Sequence, residues 1–350
     1  MRKYCLILCG VLSLSCTIVM AQEEDGLVDS LLIHSDIFAF EAPAKISLKM
    51  DVKAFKKAKY TDKYLPAELS YKLDSINEAV VKQVRIKARG NSRRQKCFFP
   101  PIKLNIRKAD VKNDYLSETK TIKLVTHCNS ALVNKRYLLK EYLAYKLYQV
   151  VSPYSFRVRL VQMEYIDTGK RGKNIDTWAF LIEPIGVMAE RLDMLNVKSD
   201  NLRDELMDRS IMTTLDLFQY MIGNADYSVQ GRHNMKVIRS KDVMEQEGVP
   251  VPYDFDYSGL VDAGYAVPGD QLGIDTVKER YFLGACKTEA EIEEAVVGLQ
   301  AKKPELFEVI DTFEYLNSKE KTAMKRYLEE FFSAVEKNSF YNYSILSTCK

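Results

Sequence analysis

Residues 44–50 read Ala-Lys-Ile-Ser-Leu-Lys-Met, with an apolar side chain at every second position. Because successive side chains of a strand point to opposite faces, this period of two predicts a β-strand with one buried face. The same alternation occurs at residues 84–89 and 102–107, and two further strands are predicted at residues 156–166 and 178–182. Ser130 can cap a long helix that runs to about Val151. The first half of the chain is therefore predicted to be rich in strands, with one long helix.

The character of the chain changes after Pro184. Apolar residues recur at helical spacing over residues 201–222, and again over residues 319–337 near the C-terminus. A short strand pair is predicted between these helices, at residues 234–238 and 249–253. Strands followed by helices indicate an α+β fold of two lobes. We expect a β-rich N-terminal lobe over residues 22–183 and an α-rich C-terminal lobe over residues 184–350, joined near Glu183.

The first 21 residues form a segment of their own. Arg2 and Lys3 precede an apolar run that ends in Val-Met-Ala at residues 19–21. This arrangement is typical of a secretory signal peptide cleaved before Gln22, and it predicts an exported protein, whether periplasmic, at the cell surface or secreted. A lipoprotein anchored through Cys16 is the alternative, but the position three residues before this cysteine is Ser13 instead of the usual leucine.

The composition of the whole chain limits its class. The 350 residues include 51 Lys and Arg, 48 Asp and Glu, and 47% hydrophobic residues, which is ordinary for a folded soluble protein. Without the signal peptide the net charge is near +1, which argues against a nucleic-acid binder. No other apolar run is long enough to span a bilayer. We expect a protein or envelope partner, no nucleic acid and no membrane-spanning segment.

Four cysteines follow the predicted signal peptide: Cys97, Cys128, Cys286 and Cys349. Their spacing is too wide for a zinc site, and an exported compartment permits disulfides. Three pairings are possible, and free buried thiols are the alternative.

Polar residues cluster around the predicted strand pair. Gly-Asn-Ala-Asp at residues 223–226 follows a helix, Asn234 opens one strand, and Asp-Phe-Asp at residues 254–256 follows the other. If these loops meet at one end of the hairpin, their hard oxygen atoms suit Mg²⁺ or Mn²⁺. Asn and Asp also commonly mark turns, which is the structural alternative. Signatures of common hydrolases and P-loop proteins are missing, and the three histidines lie in separate segments.

In their order, these motifs resemble the spore-coat H (CotH) kinase family, with distant similarity to HipA-type kinases. Upstream, Arg-Gly-Asn-Ser at residues 89–92 and Pro-Ile-Lys-Leu at residues 101–104 resemble a segment and a basic strand of the same family. Asn-Lys-Arg-Tyr at residues 134–137 and Phe-Leu-Ile-Glu at residues 180–183 fit its order as well. The resemblance spans roughly residues 44–260, and GxGxxG and HRD, the protein-kinase motifs, are missing.

The resemblance implies a bilobal kinase-like fold that transfers the γ-phosphoryl group of ATP to a protein hydroxyl, with Mg²⁺ or Mn²⁺ as cofactor and ATP as co-substrate. Asp226 would be the catalytic residue that orients the hydroxyl or accepts its proton. The metal ligands would be Asn234 and Asp254, with Asp256 as an alternative. The nucleotide-binding residues would be Lys103 and Arg89 at the phosphates and Glu183 at the adenine side.

Several of these residues have a structural alternative. Lys103 shares a predicted strand face with Asn105 and Arg107, which can simply be solvated. Glu141, on the long helix, either pairs with Lys103 or is a surface charge, and Arg89 can be a structural ion-pair partner. For the whole chain, the alternatives are a degenerate kinase fold that binds without catalysis, or a metal-stabilised structural module of the envelope. An exported kinase would also need a supply of ATP outside the cytoplasm.

Overall fold

The computed structural model describes residues 36–72, 79–106, 115–116, 119–129, 132–169, 172–199 and 201–350. The predicted signal peptide, the predicted helix cap Ser130 and Arg107 lie outside the described residues. Residues Ile37–Lys350 form one compact unit.

Seven strands close into a barrel in the order β1-β2-β3-β4-β5-β7-β6. Neighbouring strands pair antiparallel, except that β1 lies parallel to β6 and closes the barrel from Ala44 opposite Val161 to Met50 opposite Asp167. The strands are β1 (Ala44–Met50), β2 (Leu65–Lys72), β3 (Val80–Ala88), β4 (Ile102–Ile106), β5 (Thr121–Thr126), β6 (Val158–Asp167) and β7 (Ile175–Ile182).

The barrel interior is filled by the apolar half of each alternating strand. In β1 every second side chain is buried, beginning with Ala44, and β3 and β4 follow the same rule. Leu48, Ile86 and Leu104 belong to this interior cluster. The outward positions of β4 carry Lys103 and Asn105, which are partly buried.

A second and larger core lies outside the barrel. The outward side chains Leu160 and Phe180 of β6 and β7 belong to it, together with the long helix and the C-terminal helices. The helices are α1 (Val52–Lys57), α2 (Ser92–Lys96), α3 (Leu132–Val151), α4 (Ile185–Arg191), α5 (Arg209–Met221), α6 (Glu289–Ala301), α7 (Lys303–Thr312) and α8 (Ser318–Val335), followed by a π-helical turn (Tyr341–Leu346). Short 3₁₀ turns lie at Ile37–Ala39, Asp204–Leu206 and Asp270–Leu272.

A separate three-stranded sheet has the order β10-β9-β8, formed by β8 (Met194–Asn196), β9 (Met235–Ser240) and β10 (Gly248–Pro252). The strands β9 and β10 are the predicted hairpin, and they pair antiparallel with Met235 opposite Pro252. The residues just before β9 and just after β10 therefore meet at one end of the hairpin.

The prediction of a bilobal kinase-like fold with a β-rich N-terminal lobe and an α-rich C-terminal lobe is wrong. The strands of the first half close into a seven-stranded barrel of mixed direction. The long helix α3 contacts β6 and β7 on one side and α7 on the other, so it joins the core of the second half. Counting strands and helices along the chain could not show which core α3 would enter.

The individual elements agree better with the sequence. The strands predicted at residues 44–50, 84–89 and 102–107, the long helix and the hairpin are all confirmed. The cysteines pair as Cys97–Cys128 and Cys286–Cys349, which decides among the three possible pairings and excludes free thiols. Within the part of the chain that the structure describes, we find no helix both long and apolar enough to cross a bilayer.

Candidate functional site

The loop after α5 carries Asp226. The helix ends at Met221, and Gly223 follows with φ +65°, the left-handed conformation that ends many helices. A side chain at this position would collide with the Tyr327 hydroxyl, so both backbone and space require glycine. The Asn224 side chain then accepts a hydrogen bond from the Asp226 amide at 3.1 Å, which fixes the start of the loop.

Asp226 has hydrogen-bond partners at both carboxylate oxygens. Its Oδ1 lies 2.7 Å from Nε2 of His233, and its Oδ2 accepts from the side-chain amide of Asn234 at 3.0 Å. The same Asn234 amide donates to the Asp226 carbonyl at 2.9 Å. The hydrogen bond to Asp226 raises the pKa of His233, which favours an imidazolium beside the carboxylate. Asp226 is thereby held in one orientation.

Asn234 connects Asp226 to the second acidic loop. Its side chain binds Asp226, while its carbonyl accepts a hydrogen bond from the amide of Tyr253 at 3.0 Å. Asp254 is the next residue, and its amide donates to the hydroxyl of Tyr145 on α3 at 2.8 Å. Asn234 and Asp254 have φ of +51° and +66°, a conformation that Asn and Asp adopt more readily than other residues with side chains. The predicted meeting of these loops therefore occurs.

Arg93 contacts two buried carboxylates that lie close to Asp254. Its guanidinium donates to Asp256 at 2.7 Å and to Glu141 on α3, and all three side chains are buried. Burial is the main factor that raises the pKa of both Glu141 and Asp256; the Asp254 charge adds to the shift, and Arg93 opposes it. The Oε1 atom of Glu141 is buried without a hydrogen-bond partner among the described residues.

Basic side chains border the acidic loops. Arg89 lies 4.0 Å from the Asp254 carboxylate. Lys103 of β4 and Lys123 of β5 are direct cross-strand partners, so both side chains lie on the same face of the barrel wall. Nζ of Lys123 lies 3.8 Å from the centre of the Tyr253 ring. Burial, followed by repulsion from Arg89, holds the pKa of Lys123 well below its usual range. An anion near Lys123 would raise this pKa again.

Most of the residues predicted for the site are brought together. Asp226, Asn234 and Asp254 are linked through hydrogen bonds and one peptide bond, and Arg89 faces Asp254. Asp256 lies nearby, but its carboxylate is held by Arg93.

Glu183, predicted at the adenine side, has other contacts. It is buried, and its carboxylate accepts hydrogen bonds from Arg157 and Arg191 at 2.8–3.0 Å. Both sequence-based interpretations of Glu141 are wrong. It is fully buried rather than a surface charge, and its partner is Arg93 rather than Lys103.

Four residues of the site received no role from the sequence: Arg93, Lys123, Tyr145 and His233. His233 lies next to Asn234, and its position seven residues after Asp226 is the one signal that could have indicated it. Lys123 occupies a polar position of an alternating strand, as many surface lysines do. Arg93 contacts Glu141, 48 residues away in the sequence, and Tyr145 contacts Asp254, 109 residues away. Local sequence patterns do not predict contacts at such separations.

The donor set fits a divalent cation of the hard type. Glu141, Asp254 and Asp256 can each offer an oxygen atom within 4.8 Å of the others. Of these, Asp254 has no arginine within direct hydrogen-bond distance among the described residues, and Glu141 has the unpartnered Oε1. The amide nitrogen of Asn234 donates to Asp226, which leaves its amide oxygen as the possible ligand. Carboxylate and amide oxygens are the ligands that Mg²⁺ prefers.

Similarity to known proteins is found among solved structures. No protein-family model matches the chain, and no curated protein matches it. Among solved structures, it is similar to the crystal structure of a Helicobacter pylori proinflammatory kinase, CtkA. The identity is 12%, the TM-score is 0.38, and the match covers 67% of this chain and 90% of that chain. A kinase is thus a structural neighbour of this chain.

Proposed function

We propose that this protein is a metal-dependent phosphotransferase that moves the γ-phosphoryl group of ATP to a hydroxyl of a protein. The observation that carries the proposal is the position of Asn234 between Asp226 and Asp254. One residue thereby fixes the distance between a carboxylate able to hold a hydroxyl and a carboxylate able to hold a metal ion. Phosphoryl transfer depends mainly on such positioning and on neutralisation of charge.

The basic border of the site suits the triphosphate. Arg89, Lys103 and Lys123 would face its oxygen atoms, and the bound anion would raise the pKa of Lys123, which burial lowers. Asp254 and the amide oxygen of Asn234 would hold Mg²⁺ or Mn²⁺, with Oε1 of Glu141 and Asp256 close by. The ion would supply charge neutralisation at the phosphates.

Asp226 would hold the attacking hydroxyl. The hydroxyl oxygen bonds to the γ-phosphorus, and the bond from that phosphorus to the β,γ-bridging oxygen breaks, its electron pair leaving with ADP. The hydroxyl proton passes to Asp226 and then to solvent. Because His233 and Asn234 hold both oxygen atoms of the Asp226 carboxylate, this side chain would orient the hydroxyl in one direction.

A binding protein without catalysis is the second candidate. Both carboxylate oxygens of Asp226 already accept hydrogen bonds, which favours a structural role for this residue more than a free carboxylate would. Nucleotide binding without transfer would support this candidate.

Two substitutions test the proposal. Asp226→Asn keeps the shape of the side chain but removes its charge, so phosphoryl transfer to a mixed protein substrate should fall at least about 10²-fold while ATP affinity is retained. Asp254→Asn should weaken Mn²⁺-dependent ATP binding, measured by calorimetry. Asp262→Asn is the matched control, because Asp262 also has a left-handed backbone, with φ +53°, and pairs with Lys278. Equal transfer by wild type and Asp226→Asn would refute the catalytic assignment.

We also propose that the protein is exported. The two disulfides support an oxidising compartment, which agrees with the secretory pattern of residues 1–21. Intact-mass measurement of protein from the native host should give a chain that begins at Gln22. A retained Met1 or a lipid on Cys16 would contradict this.

A further inference from the structure

A cavity of about 160 Å³ adjoins Asp226. One wall is the Asp226 loop with Gly223 and Ala225, and the other wall comes from Tyr257 and residues 267–277. Val267 lines the cavity and is nevertheless 61% exposed, so the cavity opens to solvent at that residue.

The lining of this cavity combines apolar side chains with neutral polar groups. Its side chains include Pro268, Leu272, Ile274 and Val277, with the Gln271 amide and the Tyr257 hydroxyl as neutral polar groups. Among the described residues that line it, Asp226 alone is charged, whereas Arg89, Lys103 and Lys123 do not line it. Phosphate groups therefore have no counter-charge here, and a second acidic group would be repelled by Asp226. A cationic group would find both Asp226 oxygens already paired with His233 and Asn234.

The size of the cavity suits a small neutral group. A volume of about 160 Å³ is sufficient for one branched aliphatic side chain. Because the cavity opens at an exposed valine in a stretch of irregular backbone, a polypeptide can continue past it in either direction.

We propose that this cavity is the acceptor pocket of the protein, where it takes an aliphatic side chain adjacent to the serine or threonine whose hydroxyl meets Asp226. This inference rests on the proposed phosphotransferase function and adds the class of substrate. The acceptor is an uncharged polypeptide segment with a Leu, Ile or Val next to the hydroxyl residue. Hydrophobic pockets commonly discriminate about 10-fold or more per group of this size.

Binding of labelled peptides tests the pocket without requiring catalysis. Three short peptides share one serine and differ only in its two neighbours, which are leucine, glutamate or lysine. Fluorescence anisotropy is measured with the full protein, Mn²⁺ and a non-hydrolysable ATP analogue. We expect the leucine peptide to bind at least about 10-fold more tightly than either charged peptide.

Variants of Ile274, which lines the cavity, test whether the preference for leucine arises there. Ile274→Asp introduces a charge and Ile274→Trp fills the space, and both should remove the preference for leucine while leaving nucleotide affinity unchanged. Val243→Asp is the control, because Val243 is a surface residue, 73% exposed, that does not line the cavity. If the three peptides bind equally, or if the preference survives in both Ile274 variants, the pocket assignment is wrong.

The same peptides separate the two proposals. Transfer of phosphate from ATP to all three peptides at equal rates would overturn the pocket and leave the phosphotransferase standing. A leucine preference that is lost in both Ile274 variants, without transfer to any peptide, would support the pocket and overturn the phosphotransferase.

Discussion

Asp216 should make the stability of this protein depend on pH near neutrality. This side chain lies on α5, within the core, and is fully buried. The hydroxyl of Tyr227, the residue after Asp226, donates to its Oδ1 at 2.9 Å, whereas Oδ2 is buried with no hydrogen-bond partner among the described residues. Burial raises the pKa of Asp216 to about 7, with Lys287 opposing the shift and Asp204 adding to it.

The sign of the effect follows from the direction of this shift. A folded-state pKa above the ordinary 3.8 means that the folded protein binds the Asp216 proton more tightly than the unfolded chain does. The resulting stabilisation is fully present below pH about 4 and is lost as the pH rises through about 7. Between pH 5 and pH 8 the loss amounts to about 2.5 kcal/mol of the free energy of unfolding.

Urea unfolding of the wild type and of Asp216→Asn, at pH 5 and at pH 8, measures this contribution. Asparagine can still accept the Tyr227 hydrogen bond but does not titrate, so the wild type should lose about 2.5 kcal/mol more than the variant over this pH range. Taking the difference between the two proteins cancels the other titrating groups. The substitution of the exposed Asp193 by Asn should leave the wild-type slope unchanged. Equal pH slopes for wild type and Asp216→Asn would refute the reasoning.

Two further predictions concern buried links. Replacing Cys97 and Cys128 by serine opens a loop of 31 residues, and the free energy of unfolding in urea should fall by about 3 to 4 kcal/mol; a loss below about 1 kcal/mol would contradict a structural role. Glu183→Gln leaves Arg157 and Arg191 without their shared carboxylate, so stability should fall by about 2 to 3 kcal/mol with ATP affinity unchanged. Weaker ATP binding without a loss of stability would instead support the predicted role of Glu183 at the adenine side of the nucleotide.

Local patterns in the sequence predicted elements better than they predicted architecture. The period of two in Ala44–Met50 is caused by the burial of one strand face, so it can be read without the rest of the chain. The closure of the barrel depends on the parallel pairing of β1 with β6, more than 100 residues away. Nothing in either strand specifies that partner, and the two-lobe prediction failed for this reason.

The site shows the same division between local and distant information. The sequence predicted the β9–β10 hairpin. The ends of this hairpin bring together Asp226, Asn234 and Asp254. The partner of Glu141 depends instead on where α2 lies, since α2 carries Arg93. Cys97, directly after α2, is bonded to Cys128 near the start of α3. Both the disulfide and the partner of Glu141 depend on the position of α2, so local sequence patterns could predict neither.

The two aspartates of Asp-Phe-Asp have different roles because Phe255 fixes their directions. Its ring is fully buried and packs edge-on against Tyr145, with a centroid separation of 4.8 Å. Asp256 is then held at Arg93 in the interior, where its charge stabilises a structural network. The backbone amide of Asp254 donates to the Tyr145 hydroxyl. The Asp254 carboxylate lies 4.0 Å from Arg89 and makes no hydrogen bond to a buried arginine among the described residues. Two residues of identical type are therefore not interchangeable, and the charge available to a ligand is that of Asp254.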